Sequence, residues 1–187
     1  MSNRIYNVVD LFAGCGGLSL GFQNAGFSII AAFDNWDEAI NIYKLNFSHP
    51  IIKRDLNDTS DLSDIENLKP DIIIGGPPCQ DYSSAGHRNE DLGRAQLTIK
   101  FAEIITRIRP SFFLMENVPN IQKSEKLDQV LNMFHESGYG ISKMVIDASR
   151  CGVPQKRRRF IVLGGLNEPE GFLDELLYRG QSKKNMT

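Results

Sequence analysis

Short apolar runs alternate along this chain with segments whose apolar residues recur at helical spacing. The runs predict buried strands, and the helical stripes predict helices between them. The predicted strands cover residues 8–12, 29–33, 71–75, 112–115, 141–146 and 160–163. The predicted helices carry their apolar stripes within residues 18–25, 39–47, 97–108 and 127–134. This alternation predicts an α/β fold, in which a mostly parallel sheet has helices on both faces and the last two strands can pair as a hairpin.

The composition agrees with a folded, water-soluble domain. Among 187 residues, 41% are hydrophobic and 24% are charged, and no apolar run is long enough to cross a bilayer. The three cysteines, Cys15, Cys79 and Cys151, are far apart and show no metal-ligand spacing. We therefore expect no disulfide framework, no metal site and a reducing, cytoplasmic location.

Residues directly after the predicted strands are the first candidates for chemistry, because ligands of parallel α/β sheets bind at the carboxyl ends of the strands. A glycine-rich loop, residues 12–17, follows the first strand, and Asp34 ends the second. Glycines let the backbone approach a ligand closely, and a carboxylate at this place can accept hydrogen bonds from ribose hydroxyls. The pair is equally compatible with a nucleotide-type cofactor, NAD included, and with a tight structural turn. Asp55, near the end of a third strand, is more typical of a turn or a helix N-cap.

A single cysteine follows the predicted strand 71–75 on a loop of two glycines and two prolines, Gly75-Gly76-Pro77-Pro78-Cys79. Free cysteines are commonly buried as small apolar residues, but the neighbours of Cys79 are turn formers. This position favours a nucleophilic thiol presented from a stiff loop. Glu116 and Asn117 follow strand 112–115. Because both loops leave the same sheet edge, we expect a partly buried Glu116 on the edge that carries Cys79, where it can take part in proton transfer.

The charge is unevenly distributed along the chain. Residues 1–149 contain 13 Lys/Arg and 19 Asp/Glu, a net −6, whereas residues 150–187 contain 8 and 4, a net +4. The basic residues 156–159 lead into the last predicted strand. Because alternate residues of an extended chain share a face, Arg157 and Arg159 are predicted to point together and Arg158 away. Two aligned guanidinium groups suit phosphate or carbonyl oxygens, although a basic run by itself is usually solvated surface.

Taken together, four motifs resemble the DNA (cytosine-5)-methyltransferase family over roughly residues 7–165. They are Asp10-Leu11-Phe12-Ala13-Gly14-Cys15-Gly16-Gly17, Gly76-Pro77-Pro78-Cys79-Gln80, Glu116-Asn117-Val118 and Gln155-Lys156-Arg157-Arg158-Arg159. The co-occurrence of the last three blocks in one chain is highly specific. The resemblance implies a Rossmann-like fold that uses S-adenosylmethionine to methylate carbon 5 of cytosine in double-stranded DNA, with the target base flipped out of the duplex.

The resemblance also implies roles for individual residues. Cys79 resembles the nucleophile that adds to carbon 6 of cytosine, and Glu116 the residue that engages and protonates ring nitrogen 3. Arg157 and Arg159 resemble the arginines that contact the flipped base and the cysteine loop. The other residues matched to the substrate side are Ser83, Asn117, which also helps to hold the loop, and Gln155. The residues matched to the cofactor pocket are Phe12, Gly14, Gly16, Asp34, Asn35, Trp36, Asp55, Leu56, Pro78 and Leu97.

Two features depart from the family pattern. An aromatic residue often follows the ribose carboxylate, but here Asn35 takes that place and Trp36 comes next, so the cofactor contact is open between them. Beyond residue 165 the chain matches neither the expected target-recognition region nor the closing Gly-Asn-Ser-type motif. We therefore expect residues 1–165 to form the cofactor-binding and catalytic domain. Residues 166–187 are expected to form a tail with a short apolar helix, which either covers the sheet edge or docks a partner.

The unmatched region predicts a split enzyme of a restriction-modification system, in which a second subunit carries target recognition. Three alternatives stay open on the sequence: a relative that acts on tRNA, a NAD-binding oxidoreductase, and a non-catalytic partner or truncated fragment. The oxidoreductase alternative leaves Cys79, Glu116 and the arginine pair without roles.

Overall fold

A seven-stranded sheet lies at the centre of the computed structural model, which describes residues 5–78 and 96–186. The strands are β1 (Asn7–Leu11), β2 (Ser28–Asp34), β3 (Ile51–Lys53), β4 (Ile72–Gly75), β5 (Phe112–Asn117), β6 (Tyr139–Asp147) and β7 (Arg158–Leu166). The helices are α1 (Gly17–Asn24), α2 (Asp37–Asn46), α3 (Ser63–Glu66), α4 (Gln96–Ile108), α5 (Glu125–Glu136) and α6 (Asp174–Arg179). Two short 3-10 helices, Pro119–Lys123 and Ala148–Arg150, complete the described elements.

The strand order β3-β2-β1-β4-β5-β7-β6 makes this a mostly parallel sheet with one reversed strand. Strands β1 to β5 pair in parallel, whereas β7 is antiparallel to both β5 and β6. The α/β prediction and the hairpin of the last two strands are thus confirmed. The strands β2 and β4 lie on opposite sides of β1, so the strand order reverses there. Ligands of such sheets bind outside the carboxyl ends of the strands at this point.

Helices cover the two faces of the sheet unequally. On one face, α4 and α5 pack Phe101 and Phe134 against Phe113, and the rings of Phe113 and Phe134 lie 4.2 Å apart between centroids. On the other face, α1 and α2 cover mainly β1, β2 and β3. Full burial of an aromatic or aliphatic side chain stabilises a fold by about 1.5–3 kcal/mol, so the first face contributes the larger part of the core.

Strand ends differ from the predicted ends for local reasons. The first strand stops at Leu11, one residue early, because Phe12 adopts a φ of 56° in the left-handed region. Strand β7 begins at Arg158 and continues through Gly164 and Gly165. A Cβ at Gly164 would lie 2.0 Å from the ring of Phe113, so the aromatic core requires glycine there.

The C-terminal tail returns across the sheet beside β6 and β7. Gly140 and Gly165 face each other in this strand pair, and a Cβ at Gly140 would lie 2.1 Å from the carbonyl oxygen of Glu168. The missing side chains make room for the tail, and Phe172 packs next to Gly165. The described residues contain no helix with both the length and the apolar character needed to cross a membrane.

Candidate active site

The glycine loop between β1 and α1 is shaped by positive φ angles at three positions. They are Phe12 at 56°, Gly14 at 54° and Gly16 at 92°. A Cβ on Gly16 would lie 2.2 Å from the ring of Phe47, so only glycine lets α1 begin this close to the residues that follow α2. Phe12 is half-buried and packs against the main core cluster.

Asp34 is fixed beside this loop by two backbone hydrogen bonds. The amide of Gly14 donates to Oδ2 at 2.7 Å, and the amide of Trp36 donates to Oδ1 at 2.8 Å. Each carboxylate oxygen has two acceptor positions, so both can still accept a hydrogen bond from a ligand hydroxyl. The end of β2 and the loop after β1 therefore form one half-buried acceptor site.

The remaining residues predicted for the cofactor differ in their exposure. Asn35 and Trp36 are both exposed, and 63% of Trp36 is accessible directly before α2. Asp55 is exposed, and its Oδ1 accepts a hydrogen bond from the amide of Asn57 at 3.0 Å, as in a turn. Leu56 is buried in the main core cluster. Pro78 is exposed, and Leu97 is half-buried in the first turn of α4.

A buried polar chain beneath the glycine loop received no role in the sequence analysis. Asp10 and Ser19 form a hydrogen bond of 2.7 Å, Ser19 and Tyr43 one of 2.7 Å, and Tyr43 and His49 Nε2 one of 2.6 Å. Each hydroxyl has one proton, so an ionised Asp10 requires Ser19 to donate to it, Tyr43 to Ser19 and His49 to Tyr43. The sequence feature that could have indicated this chain of groups is Asp10, a charged residue inside an otherwise apolar strand.

Burial dominates the electrostatics of this chain of groups. It raises the pKa of Asp10 to about 7, and the nearby charge of Asp34 adds to the rise. It also raises the pKa of Tyr43 and lowers that of His49. Among the described residues, Asp10 Oδ1 is buried without a hydrogen-bond partner. A buried acceptor of this kind is costly to leave unpaired, so the site suits a donor or cation supplied by a ligand.

Glu116 lies at the carboxyl end of β5 and is paired with Arg159 of β7. Arg159 Nε is 2.6 Å from Glu116 Oε1, and both side chains are about a quarter exposed, at 26% and 25%. Glu116 lies opposite Ile161 in the antiparallel register, so Arg159 is its diagonal neighbour on the same face. A Cβ on Gly76 would lie 3.3 Å from Glu116 Oε2, which places this carboxylate against the loop after β4.

Asn117 connects the same strand end to that loop. Its side chain is buried, its Nδ2 donates to the carbonyl of Pro77 at 3.2 Å, and its Oδ1 accepts from the amide of Val118 at 2.8 Å. Cys79 and Ser83, the residues predicted next along the loop, lie outside the described residues.

The basic residues predicted for the substrate lie at the edge of the sheet that carries Glu116, but they differ in exposure and contacts. Arg157 precedes β7, so only Arg158 and Arg159 belong to the strand. Arg157 and Arg158 are exposed, whereas Arg159 is half-buried against Glu116. Arg157 lies one residue before the strand, and its carbonyl still accepts a hydrogen bond from the amide of Ala148 at 2.9 Å. That the side chains of Arg157 and Arg159 point to the same side stays a prediction. Gln155 is exposed in the connection that leads into β7.

Comparison with known proteins gives a consistent result. The family model described as C-5 cytosine-specific DNA methylase matches residues 6–185. Type II methyltransferase M.HindV from Haemophilus influenzae is 56% identical over 96% of this chain, and Type II methyltransferase M.HgiDI from Herpetosiphon aurantiacus is 48% identical over 96%. The chain spans 59% and 58% of the lengths of these two relatives.

Solved structures show the same fold. A putative DNA modification methyltransferase encoded within an E. coli prophage superposes with a TM-score of 0.75 at 34% identity, covering 86% of this chain and 47% of that one. The S. pombe Dnmt2 methyltransferase superposes with a TM-score of 0.79 over 98% of this chain and 57% of that one. At 20% identity, this second likeness concerns the fold alone.

Proposed function

The chain belongs to the family of C-5 cytosine-specific DNA methylases, and on that premise we propose that it transfers a methyl group from S-adenosylmethionine to carbon 5 of cytosine in double-stranded DNA. The observation that carries the proposal is the Glu116–Arg159 pair beside the Gly76-Pro77 loop at the carboxyl edge of the sheet. This arrangement supplies a proton-transfer carboxylate, fixed by a cation, next to the loop that leads into Cys79.

The residues around the glycine loop fit the proposed cofactor. Asp34 offers two oriented carboxylate oxygens to ribose hydroxyls, and the exposed ring of Trp36 offers an apolar face for the adenine. Asn35 is exposed but has no such face. The buried, unpartnered Oδ1 of Asp10 suits a positively charged group near the loop. Asp55 and Leu56 are assigned to the adenine side with Phe12, and Pro78 and Leu97 to the opposite wall.

The proposed chemistry begins at Cys79. Its thiolate adds to carbon 6 of cytosine and forms a sulfur–carbon bond, while ring nitrogen 3 takes a proton from Glu116. Arg159 holds the Glu116 carboxyl group in place, and Asn117 holds the loop through Pro77. The addition makes carbon 5 electron-rich, and S-adenosylmethionine supplies the electrophilic methyl group that it accepts. Methyl transfer leaves S-adenosylhomocysteine. A base from solvent then takes the proton from carbon 5, Glu116 takes back the proton from ring nitrogen 3, and the Cys79 sulfur leaves as a thiolate, which restores the ring.

We further propose that the substrate base is flipped out of the duplex and that a second polypeptide completes the enzyme. An enzyme that flips a base must also hold the duplex and read its grooves. The described residues offer a cofactor site beside Asp34 and a catalytic edge beside Glu116. A partner that carries target recognition, as in a restriction-modification methyltransferase, supplies the remaining contacts. Ser83 and Gln155 are assigned to the substrate side of this assembly.

DNA is favoured over tRNA as the substrate because the family model is described for DNA and the named relatives are Type II methyltransferases. The family match also argues against the NAD-binding oxidoreductase and against a role without catalysis, since Glu116, Arg159 and the glycine loop are all present.

The test is a methylation assay with two arms. The 187-residue chain is mixed with labelled S-adenosylmethionine and mixed-sequence duplex DNA, with and without the product of the neighbouring reading frame. We expect methyl transfer only in the presence of the second polypeptide, and sequence-specific transfer by the chain alone would refute the split assignment. A duplex with 5-fluorocytosine should trap a covalent adduct at Cys79, because fluorine cannot leave as a proton does. Cys79→Ser should give no adduct, and turnover by that variant would exclude Cys79 as the nucleophile.

A further inference from the structure

The aspartate loop, residues 54–62, joins β3 to α3 and is held together by the side chain of Arg54. Nη2 of Arg54 donates to the carbonyls of Asp58, at 3.3 Å, and of Asp61, and Nη1 forms an ion pair with Asp64 in α3. Only 17% of the Arg54 side chain is exposed. Aspartates recur here at every third position, and the first three each accept a hydrogen bond from the amide two residues later, which makes a series of tight turns. They are Asp55, Asp58, Asp61 and Asp64.

The backbone of Arg54 is tied to the other carboxylate of the cofactor site. Its amide donates to the carbonyl of Asp34 at 2.8 Å, at the end of the ladder between β2 and β3. Asp34 and Asp55 are the two carboxylates assigned to the adenosine part of the cofactor. Arg54 is hydrogen-bonded to the first and covalently bonded to the second. The placement of Asp55 relative to Asp34 therefore depends on how Arg54 is held.

Asp55 is presented from a backbone that is fixed on both sides. Arg54 before it is held by the contacts just described, and Leu56 after it is 2% exposed in the main core cluster. Oδ1 of Asp55 accepts a hydrogen bond from the amide of Asn57 at 3.0 Å, which orients the side chain. A carboxylate has acceptor positions on both oxygens, so Oδ2 can accept a hydrogen bond from an amino group of a ligand.

A guanidinium group suits this position because its rigid fork of donors can reach several acceptors at once, which a single amide or ammonium group cannot do. We propose that Arg54 is a positioning residue for the adenosine end of the cofactor. By closing the aspartate loop it sets the place of Asp55 relative to Asp34, and with it the preference of the site for adenine over a purine that lacks the amino group. The inference rests on the proposed function, which assigns these two carboxylates to the cofactor.

The test compares two ligands that differ at the adenine amino group. They are S-adenosylhomocysteine, the product of methyl transfer, and S-inosylhomocysteine, in which a carbonyl oxygen replaces that amino group. A carboxylate accepts a hydrogen bond from the amino group and repels the oxygen, so the wild-type chain should bind the first ligand more tightly. Arg54→Gln should reduce the ratio of the two affinities about tenfold, the lower end of what a hydrogen bond to a charged group contributes. Titration calorimetry measures both affinities.

Arg107→Gln is the matched control. Arg107 donates to the carbonyls of Thr59 and Ser60 in the same loop, at 3.1 and 3.3 Å, but it belongs to α4 and not to the segment that links the two carboxylates. A change that only loosens the loop lowers the affinities for both ligands by the same factor. The ratio of affinities in Arg107→Gln should therefore equal that of the wild type.

Two further variants separate positioning from stability. Arg54→Gln added to Asp55→Ala should cause no further loss of affinity for S-adenosylhomocysteine, because the residue through which Arg54 acts is absent. Arg54→Lys keeps the charge but not the fork, so its ratio should lie between those of the wild type and Arg54→Gln. If urea unfolding shows that Arg54→Gln does not fold, Arg54→Lys carries the comparison of the two ligands.

An unchanged ratio in Arg54→Gln and Arg54→Lys would overturn the inference, as would an equal loss of affinity with and without Asp55. A wild-type chain that binds the two ligands equally, or binds neither, would overturn it as well. Methyl transfer to DNA is measured separately. An active complex whose ratio does not respond to Arg54 counts against the inference alone, and a chain with the expected ratios that never methylates DNA counts against the proposed function.

Discussion

Arg159 Nε of β7 lies 2.6 Å from Glu116 Oε1 of β5, at the edge where the loop after β4 also meets the sheet. The antiparallel register produces this contact, because it places the first residues of β7 beside the last residues of β5. An antiparallel strand inserted next to a parallel one thus brings a cation to the carboxyl edge, where the proposed chemistry takes place. A parallel strand at the same position would begin at the opposite edge.

The first prediction concerns the proton-transfer carboxylate. We expect Glu116→Gln to lower methyl transfer in the active complex by about 10²–10⁴-fold, the usual contribution of a positioned acid, while cofactor affinity stays nearly unchanged. Single-turnover kinetics and calorimetry measure the two quantities. Glu103→Gln is the matched control, because Glu103 is also a half-buried carboxylate paired with a cation, Lys100, but lies in the middle of α4. Turnover by Glu116→Gln equal to that of the control would remove Glu116 from the mechanism.

The second prediction concerns Asp34. Replacing it with alanine removes both acceptor oxygens, and hydrogen bonds to charged groups contribute about 1.5–3 kcal/mol each, so cofactor affinity should fall at least about tenfold. Titration calorimetry of the chain with S-adenosylmethionine measures this. Asp37→Ala, which breaks only the exposed ion pair with Lys53, should leave the affinity unchanged. Equal affinities of the two variants would exclude Asp34 as a cofactor ligand.

The third prediction compares two adjacent glycines. Gly16→Ala places a methyl group 2.2 Å from Phe47 at a φ of 92°, so both packing and backbone strain oppose it. Backbone strain alone costs about 1–3 kcal/mol, and the clash adds to this. Gly17→Ala meets no atom within 4 Å and has an ordinary φ, so it should change the free energy of unfolding very little. Urea unfolding of both variants is the measurement, and equal stabilities would contradict the described packing of α1 on α2.

Some of the site could be predicted from the sequence, because it depends on residues at the carboxyl ends of strands. Asp34, Glu116 and Asn117 are of this kind, since strand ends in a parallel sheet meet at one edge. The chain from Asp10 to His49 could not be predicted, because its members come from β1, α1, α2 and the loop after α2, and only packing brings them together. An element as short as the four residues of α3 carries no periodicity to detect.

The position of Arg157 shows a different limit. Sequence alternation predicted a shared face for Arg157 and Arg159, but a strand begins where a partner offers hydrogen bonds. The ladder with β6 starts at Asp147 and Arg158, which leaves Arg157 before the strand. Long-range pairing, which the sequence does not reveal, therefore sets the first residue of the strand.

The fourth prediction concerns pH and Asp10. Burial raises the pKa of Asp10 to about 7 from its ordinary value of 3.8, so the folded state binds the proton more tightly than the unfolded chain. The contribution of Asp10 to the free energy of unfolding is fully present below pH 3.8 and is lost as the pH rises through 7. The total loss is about 4 kcal/mol. Asp10→Asn has no such proton, so its stability relative to the wild type should rise between pH 5 and pH 8.

His49 contributes to the pH dependence of stability with the opposite sign. Burial lowers its pKa below 6.5, so acid conditions favour the unfolded chain. Both proteins contain His49, so most of this contribution cancels in the difference between them. The measurement is the free energy of unfolding in urea across this pH range. A constant difference between Asp10→Asn and the wild type would show that Asp10 is ionised throughout or that its site is hydrated.

The last prediction concerns the exposed basic residues before β7. Lys156, Arg157 and Arg158 lie at the same edge as Glu116, where they can contact the phosphates on either side of a flipped base. Each phosphate contact releases a counterion, so replacing Lys156 and Arg158 with glutamine should weaken DNA binding by the complex and reduce the slope of log K against log salt by about 2. The affinity for S-adenosylmethionine should not change.

Lys44→Gln with Lys69→Gln is the matched control, because it removes the same charge from exposed positions on α2 and before β4, away from the catalytic edge. If the field of the whole protein governed DNA binding, both double variants would lose the same slope. If local phosphate contacts govern it, only the pair beside β7 loses slope. Slopes that are lowered equally in both double variants would therefore show that the overall field governs binding, whereas wild-type slopes in both would show that the basic run is solvated surface.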